Sequence, residues 1–154
     1  MGLEIERKFL VNKDCWQAPD NGEHLAQGYI ANNEHKLSVR VRIAADVAWL
    51  NLKGRINDIA RHEYEYQIPL RDAQELLQNF AGNIVEKIRY QVDYAGYVWE
   101  VDEFLGDNIG LIVAEIELDS EDEQFEKPPW LGEEVSSDPR YLNTSLAQVP
   151  FSKW

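Results

Sequence analysis

Hydrophobic and polar residues alternate along most of this chain. In the opening run LEIERKFLV, Glu4, Glu6 and Lys8 occupy every second position, and the residues between them are apolar except Arg7. Successive side chains of a β-strand point to opposite faces, so this spacing predicts a strand with one apolar and one charged face.

Seven later segments repeat the alternation and are also predicted as strands. Together, the predicted strands are residues 2–11, 24–32, 35–45, 47–54, 61–70, 83–94, 97–105 and 111–119. Asn32-Asn33 and Ala95-Gly96 are short enough for tight hairpins, and residues 106–110 allow a longer turn. We therefore expect antiparallel strands that follow a meander for much of the chain.

Three short helices are expected to cover the apolar outer side of this sheet. Asp72 and Glu75 have the spacing of a capping box, which predicts a helix over 73–81 that ends at Gly82. The other two are predicted from Ser120 to the prolines at 128 and 129, and from Ser137 or Asp138 to about Gln148.

The charged faces of the strands hold eight acids and seven bases. The acids are Glu4, Glu6, Glu63, Glu65, Glu100, Asp102, Glu115 and Glu117, and the bases are Lys8, Arg40, Arg42, Lys53, Arg61, Lys87 and Arg89. A sheet with one solvated face also alternates in this way, but here arginines and paired acids are gathered on one face. A closed barrel with that face turned inward would enclose a polar tunnel. The predicted fold is mainly β (α+β): a closed eight-stranded antiparallel barrel with a charged interior, flanked by a few short helices.

These residues carry a family resemblance. Glu4-Ile5-Glu6-Arg7-Lys8 has the form ExExK, and the chain continues with Gln27-Gly28-Tyr29, Arg40-Val41-Arg42, Leu52-Lys53-Gly54, Arg61-His62-Glu63-Tyr64-Glu65, Glu86-Lys87-Ile88-Arg89-Tyr90, Glu100-Val101-Asp102, Glu115-Ile116-Glu117 and a stretch from Pro129 to Val135. In this order the motifs resemble the CYTH or triphosphate tunnel metalloenzyme family, and most of all its short bacterial inorganic triphosphatases. The resemblance covers most of the 154 residues, which we interpret as one domain, 1–154.

Composition narrows the function classes independently. The net charge of −13 disfavours binding to nucleic acid or to an anionic membrane, since both depend on cationic patches. No apolar run approaches the length that spans a bilayer, and no signal peptide is apparent. The single cysteine, Cys15, is typical of a reducing compartment. We expect a cytoplasmic protein.

A triphosphate requires several fixed cations, and Arg and Lys supply them in complementary geometries. The expected phosphate-binding residues, which the resemblance also implies, are Lys8, Arg40, Arg42, Lys53, Arg61, Lys87 and Arg89. Tyr29, in the matching Gln27-Gly28-Tyr29 motif, is a further candidate phosphate contact, with an ordinary half-buried strand tyrosine as the alternative. Lys8, Arg61 and Lys87 are expected to act in catalysis.

The acids are expected to hold Mg2+ or Mn2+, ions that prefer carboxylate oxygen. The candidate metal ligands are Glu4, Glu6, Glu115 and Glu117, then Asp102 and Glu63, while Glu65 and Glu100 could hold arginines in place. No Ser-His or Cys-His arrangement supplies a nucleophile, so the expected reaction is hydrolysis of a triphosphate, above all tripolyphosphate to pyrophosphate and phosphate, by water that the ion activates.

Four alternative functions remain: two other enzymes, a binding module and a structural protein. An adenylate cyclase of the same family would need a base pocket that the sequence does not reveal, and a thiamine triphosphatase would use the same charged groups. A non-catalytic polyphosphate-binding module would not need the eight acids, and a structural barrel would leave the ordered charges unexplained. An apolar barrel surface that three short helices cover only in part suits a homodimer.

Overall fold

A computed structural model of the chain describes residues 2–33 and 37–154. The strands are β1 Gly2–Val11, β2 Glu23–Asn32, β3 Leu37–Ala44, β4 Val47–Arg55, β5 Ala60–Ile68, β6 Val85–Tyr94, β7 Tyr97–Phe104, β8 Ile112–Leu118 and β9 Leu131–Glu134. The α-helices are α1 Leu70–Phe80 and α2 Asn143–Gln148, and short 3-10 helices cover Lys13–Cys15, Gly106–Asn108, Pro139–Tyr141 and Phe151–Lys153.

Eight of the strands form a closed antiparallel barrel in the order β5-β4-β3-β2-β6-β7-β8-β1, and pairing of β5 with β1 completes the ring. The predicted barrel is therefore confirmed, with β2 to β5 and β6 to β8 as the two meanders. The hairpin at Ala95-Gly96 is also confirmed, and both residues have positive φ. Residues 35 and 36 of the predicted third strand lie outside the described residues.

The short strand β9 was not predicted. Gly2–Ile5 of β1 pairs with β5, whereas Phe9 and Val11 pair with β9, so two strands share one edge of β1. The four residues of β9, LGEE, do not alternate between apolar and polar. Sequence reasoning therefore had no strand signal at this position.

The helix predictions need three corrections. The first helix begins at Leu70, Pro69 is its N-cap, and no side chain caps it, so the capping box at Asp72 is wrong. No helix forms over 120–127, where turns and extended chain bring Phe125 against Phe9 and Trp99. The third predicted helix is divided in two, because Leu142 adopts an extended conformation with ψ 138°.

The apolar side of the barrel faces outward and is covered in two places. Trp99 is fully buried and makes edge-to-face contacts with Phe9, Phe125 and Trp130, at ring-centroid distances of 5.5 to 5.7 Å. Helix α1 covers part of the surface of β2, β3 and β4, where Ala73 is buried in one cluster with Val41 and Ala48. The polar residues of the same strands consequently face the interior.

We expect Gly28→Ala to destabilise the fold by about 1 to 3 kcal/mol, because it overpacks the contact between β2 and α1. A Cβ at Gly28 would lie 2.8 Å from Leu77 Cδ2, 2.9 Å from the Ala81 Cβ and 2.9 Å from Ile84 Cδ1. The matched control is Gly82→Ala, since no heavy atom lies within 4 Å of a Cβ there. Urea unfolding of both variants tests this, and equal midpoints would contradict the proposed close contact.

Candidate active site

The barrel encloses a cavity of about 360 Å³. Every predicted site residue except Asp102 lines it: Lys8, Arg40, Arg42, Lys53, Arg61, Lys87, Arg89, Tyr29, Glu4, Glu6, Glu63, Glu65, Glu100, Glu115 and Glu117. Three residues of the C-terminal segment, Leu142, Asn143 and Thr144, also line it. The cavity is therefore formed by the charged faces of the strands and by one segment from outside the sheet.

Strand register places acids beside one another and beside a lysine. Glu6 of β1 lies opposite Glu117 of β8, and Lys8 lies opposite Glu115. Glu115 in turn lies opposite Glu100 of β7. Directly opposite residues on one face of a sheet are neighbours, so the ExExK spacing puts two charge types side by side on the tunnel wall.

Four of the cations form no ion pair with a carboxylate in the described part of the chain: Lys8, Arg40, Arg42 and Arg61. The Lys8 ammonium donates to the Tyr141 carbonyl oxygen at 3.1 Å, and Arg42 Nε donates to Gln27 Oε1 at 3.2 Å. The Nε groups of Arg40 and Arg61 are buried and have no hydrogen-bond partner. These side chains offer donors and positive charge that an anion in the cavity could satisfy.

Burial and mutual repulsion lower the pKa values of several cations. Burial, with the nearby charges of Arg40 and Arg89, lowers the pKa of Arg42 to about 9. Burial, with Arg89 and Arg42, lowers the pKa of Lys87 to about 7 although Asp102 opposes the shift. Burial also lowers the pKa of Lys53. A bound anion would favour the charged form of each group.

The Asp102 carboxylate instead contacts two cationic side chains, Arg89 and Lys87. Its carboxylate accepts from Arg89 Nε at 2.8 Å and from Arg89 Nη2 at 2.9 Å, and it pairs with Lys87 Nζ at 2.8 Å. The Asp102 side chain is only 1% exposed. Burial opposes its ionisation, but Arg89 and Lys87 outweigh that effect and hold the pKa of Asp102 at about 2. Both carboxylate oxygens therefore position cations on the tunnel wall.

The remaining pairs of opposite charge fix further side chains. Lys53 lies between Glu4, at 3.3 Å, and Glu63, at 3.5 Å. Glu100 accepts from Arg89 at 3.0 Å, the arginine-holding arrangement that was predicted for it. Glu65 accepts from the amide of Asn51 at 2.6 Å, and no arginine of the described ranges donates to it.

Glu6 and Glu115 are diagonal neighbours on the tunnel wall, and each affects the pKa of the other. Burial and the neighbouring Glu115 raise the pKa of Glu6 well above its usual value. Burial opposes ionisation of Glu115, but the hydrogen bond from Glu6 and the charge of Lys8 hold its pKa well below the usual value. Burial and mutual repulsion therefore disfavour ionisation of both carboxyl groups together. Burial and the charge of Glu4 also raise the pKa of Glu117.

Across residues 2–33 and 37–154, no three acidic, histidine or cysteine side chains are arranged to hold a metal ion by themselves. His24 and His62 are exposed, and His35 lies outside the described residues. The same part of the chain has no helix long and apolar enough to cross a membrane.

Three polar residues of the site were not assigned by sequence reasoning. Gln27 and Asn51 are fully buried and face inward, and their phase in β2 and β4 was a usable signal. Asn143 follows the barrel in sequence and has no strand periodicity, so its Oδ1, which accepts from Gln27 Nε2 at 3.1 Å, could not be foreseen.

A closed antiparallel barrel with unpaired cations and clustered carboxylates inside defines a class of proteins with an anion-binding tunnel. Within that class, residues 2–149 match the CYTH domain. The chain belongs to the CYTH domain family.

Relatives of known name agree with this assignment. The chain is 46% identical to an inorganic triphosphatase of Acetivibrio thermocellus over 155 aligned residues, which cover 100% of this chain and 99% of that protein. It is 38% identical to an inorganic triphosphatase of Nitrosomonas europaea, with 94% and 96% covered. A crystal structure of an inorganic triphosphatase superposes with a TM-score of 0.67 and 36% identity, covering 94% of this chain and 93% of that one.

We expect Asp102→Asn to destabilise the protein by about 3 to 5 kcal/mol at pH 7, because it leaves Lys87 and Arg89 buried without their shared counter-ion. The pKa of Asp102 is lowered on folding, so its contribution is present above pH 4 and is lost as the pH falls through about 2. Urea unfolding between pH 7 and pH 2 should therefore show a smaller loss of stability in the variant than in the wild type.

The matched control is Asp58→Asn, which breaks an exposed pair with Arg55 at 2.5 Å. Exposed pairs contribute about 1 kcal/mol or less. Similar stability losses in the two variants would refute the role of Asp102 as an internal counter-ion.

Proposed function

We propose that this chain is a metal-dependent hydrolase that cleaves inorganic tripolyphosphate to pyrophosphate and phosphate. The observation that carries the proposal is that one cavity holds four cations without carboxylate partners among the described residues, beside the carboxylates of Glu6, Glu115 and Glu117. The first group suits a polyanion, and the second suits an ion that bridges to it. The names of the relatives agree with this reaction.

The unpaired cations are the proposed primary phosphate contacts. Arg40, Arg42 and Arg61 can each present two N–H groups to phosphate oxygens, and Lys8 adds a point charge. Lys53, Lys87 and Arg89 add positive charge from positions that acids already fix. Tyr29 lines the same cavity and can donate its hydroxyl.

The carboxylates fit a divalent cation in their chemistry. Membership of the CYTH family implies a metal-dependent enzyme, and Mg2+ or Mn2+ is the ion that an all-oxygen donor set favours. Mg2+ usually binds through one or two carboxylates, several waters and the substrate phosphates, so the lack of a three-ligand cage in the described residues is compatible with it. We assign Glu6, Glu115 and Glu117 to this role, with Glu4 and Glu63 next to them.

When bound, such an ion lowers the pKa of water and neutralises phosphate oxygens. The protein groups do the rest: Lys8, Arg61 and Lys87 stabilise charge on the transferred and leaving phosphates, and the arginines align the chain of phosphates for in-line attack. For Asp102 we replace the predicted metal role with the positioning of Arg89 and Lys87, because both its oxygens are already engaged.

The cavity lining favours an inorganic substrate over a nucleotide or thiamine triphosphate. Among the described residues that line it, the apolar or aromatic side chains are Leu37, Leu142 and Tyr29, and the others are charged or polar. An adenine or thiazolium ring would have little apolar surface to contact. The retained acids, in turn, favour an enzyme over a module that only binds polyphosphate.

We further propose a homodimer in a reducing cytoplasm. Leu3, Tyr64 and Tyr66 are exposed on the outer face of β1 and β5, and exposed apolar groups of this kind mark association surfaces. Sedimentation should give twice the monomer mass for the wild type and a monomer for Tyr66→Lys. A monomeric wild type would refute the dimer.

The proposal of a reducing compartment rests on the single cysteine. Cys15 is exposed and forms no disulfide.

The test of the function is phosphate release from tripolyphosphate, ATP, thiamine triphosphate and pyrophosphate, with Mg2+, Mn2+ or EDTA. We expect metal-dependent turnover of tripolyphosphate well above that of the other substrates. Cyclic AMP formed from ATP would favour the cyclase, and triphosphate binding without any turnover would favour the binding module.

Arg42→Ala and Glu115→Ala should each lower the rate of tripolyphosphate hydrolysis by about 10² to 10³, the usual cost of removing one group that stabilises the transition state. Arg71→Ala and Glu75→Ala are matched controls, because these side chains form an exposed pair on α1, outside the cavity. Near wild-type rates in the two cavity variants would show that the roles are assigned wrongly.

A further inference from the structure

Asn143 connects two walls of the tunnel. It is the first residue of α2, and its Oδ1 accepts from Gln27 Nε2 of β2 at 3.1 Å and from Lys87 Nζ of β6 at 3.4 Å. Gln27 Oε1 in turn accepts from Arg42 Nε of β3 at 3.2 Å. One asparagine thus connects, directly or through a glutamine, to two of the cavity cations.

Donor and acceptor chemistry fixes the orientation of both amides. Lysine and arginine side chains can only donate, so Asn143 must turn its oxygen to Lys87 and Gln27 must turn its oxygen to Arg42. The Gln27 amide nitrogen then has to point to Asn143, as it does. Within the described residues, the Asn143 Nδ2 group donates to no protein acceptor, and Asn143 lines the cavity.

We propose that Asn143 is a positioning and substrate-binding residue for tripolyphosphate hydrolysis: its Oδ1 holds Lys87 and, through Gln27, Arg42, while its Nδ2 donates to a phosphate oxygen. The proposal rests on the function proposed above and deepens it. It assigns the C-terminal segment a part in the chemistry that the strand motifs do not contain.

The burial of Lys87 and Gln27 makes their positions depend on the hydrogen bonds to Asn143. Lys87 and Gln27 are both 0% exposed, so in the folded protein both depend on protein partners for their hydrogen bonds. A lysine has a long, flexible side chain, and a misplacement of about 1 Å in an active site can cost about 10²-fold in rate. The same segment also holds Lys8 through the Tyr141 carbonyl oxygen. Residues 141–143 therefore contact both lysines that are proposed to act in catalysis.

The segment is also anchored from outside the tunnel, which provides a control. Asn83 Nδ2 donates to the Ala147 carbonyl oxygen of α2 at 2.7 Å. Asn83→Ala therefore removes an asparagine hydrogen bond to the same helix without touching the cavity. If Asn143 served only to attach α2 to the barrel, the two alanine variants would behave alike.

The experiment compares Asn143→Ala, Asn143→Asp and Asn83→Ala by kcat and KM for tripolyphosphate with Mg2+, and by thermal midpoint. We expect Asn143→Ala to lower kcat about 10- to 100-fold, with Asn83→Ala at wild-type kcat. Asn143→Asp retains an acceptor for Lys87 and Gln27 but loses the donor and gains a charge, so it should recover kcat and raise KM.

A double-mutant cycle adds a readout that a structural role would not move. If Gln27 and Asn143 act as one unit, Gln27→Ala combined with Asn143→Ala should cost little more in kcat than the larger single change. Additive losses, wild-type kcat in Asn143→Ala, or equal losses of kcat in Asn143→Ala and Asn83→Ala would each overturn the proposal.

A binding measurement distinguishes failure of the proposed function from failure of the proposed role of Asn143. If the wild type binds tripolyphosphate without hydrolysing it, calorimetric titration with tripolyphosphate decides the matter: weaker binding by Asn143→Ala, but not by Asn83→Ala, supports the contact, and equal binding overturns it. If the wild type neither binds nor hydrolyses tripolyphosphate, both proposals fail.

Discussion

Among the residues that the structure describes, eight cationic side chains line one small cavity, the seven predicted ones and Arg55, and their mutual repulsion is the constraint on which the rest of the site depends. Charges removed from water are tolerated when they are paired and hydrogen-bonded. Asp102 provides the central compensation, because its buried carboxylate contacts both Arg89 and Lys87 within 2.9 Å. The wall of β6 and β7 is therefore arranged before any ligand arrives.

Only some of the cavity cations have a carboxylate partner that compensates their charge. Arg89, Lys87 and Lys53 have carboxylate partners, whereas Arg40, Arg42, Arg61 and Lys8 have none in residues 2–33 and 37–154. The paired cations are thus fixed in position, and the unpaired ones keep donors for a ligand. A polyanion would satisfy the second group without competing with the acids that hold the first. In the proposed function, this division of roles is what would let a protein with a net charge of −13 bind an anion.

Most of the barrel could be predicted from the sequence because its signal has a period of two. Glu4, Glu6 and Lys8 point inward for the same reason that Ile5 and Phe9 point outward. Arg7 breaks the alternation, and the structure gives the reason: on the outer face it makes a bidentate pair with Glu134 of β9 and lies over the Phe125 ring. Arg7 lies on the apolar face because it pairs with a residue of β9, a strand that the alternation of apolar and polar residues does not predict.

Other features depended on packing that periodicity does not encode. Asp102 has the same phase as Glu100, yet neighbouring cations cover Asp102 and leave Glu100 on the cavity. The predicted helix over 120–127 had favourable local signals, but burial of Phe125 against Trp99 requires a different path of the chain. Local propensity is a weak prior, and tertiary contacts override it.

The entry of residues 141–143 into the site follows from the way a closed barrel uses its backbone. The carbonyl groups of the strands are engaged in the ladders that form the wall, so the interior receives side chains almost exclusively. A backbone acceptor for Lys8 must therefore come from a segment outside the sheet, and the extended residue Leu142, between the 3-10 helix Pro139–Tyr141 and α2, leaves the Tyr141 carbonyl oxygen free to provide one. The interruption that divides the C-terminal helix is thus the local feature that gives the charged tunnel a neutral acceptor for one of its lysines.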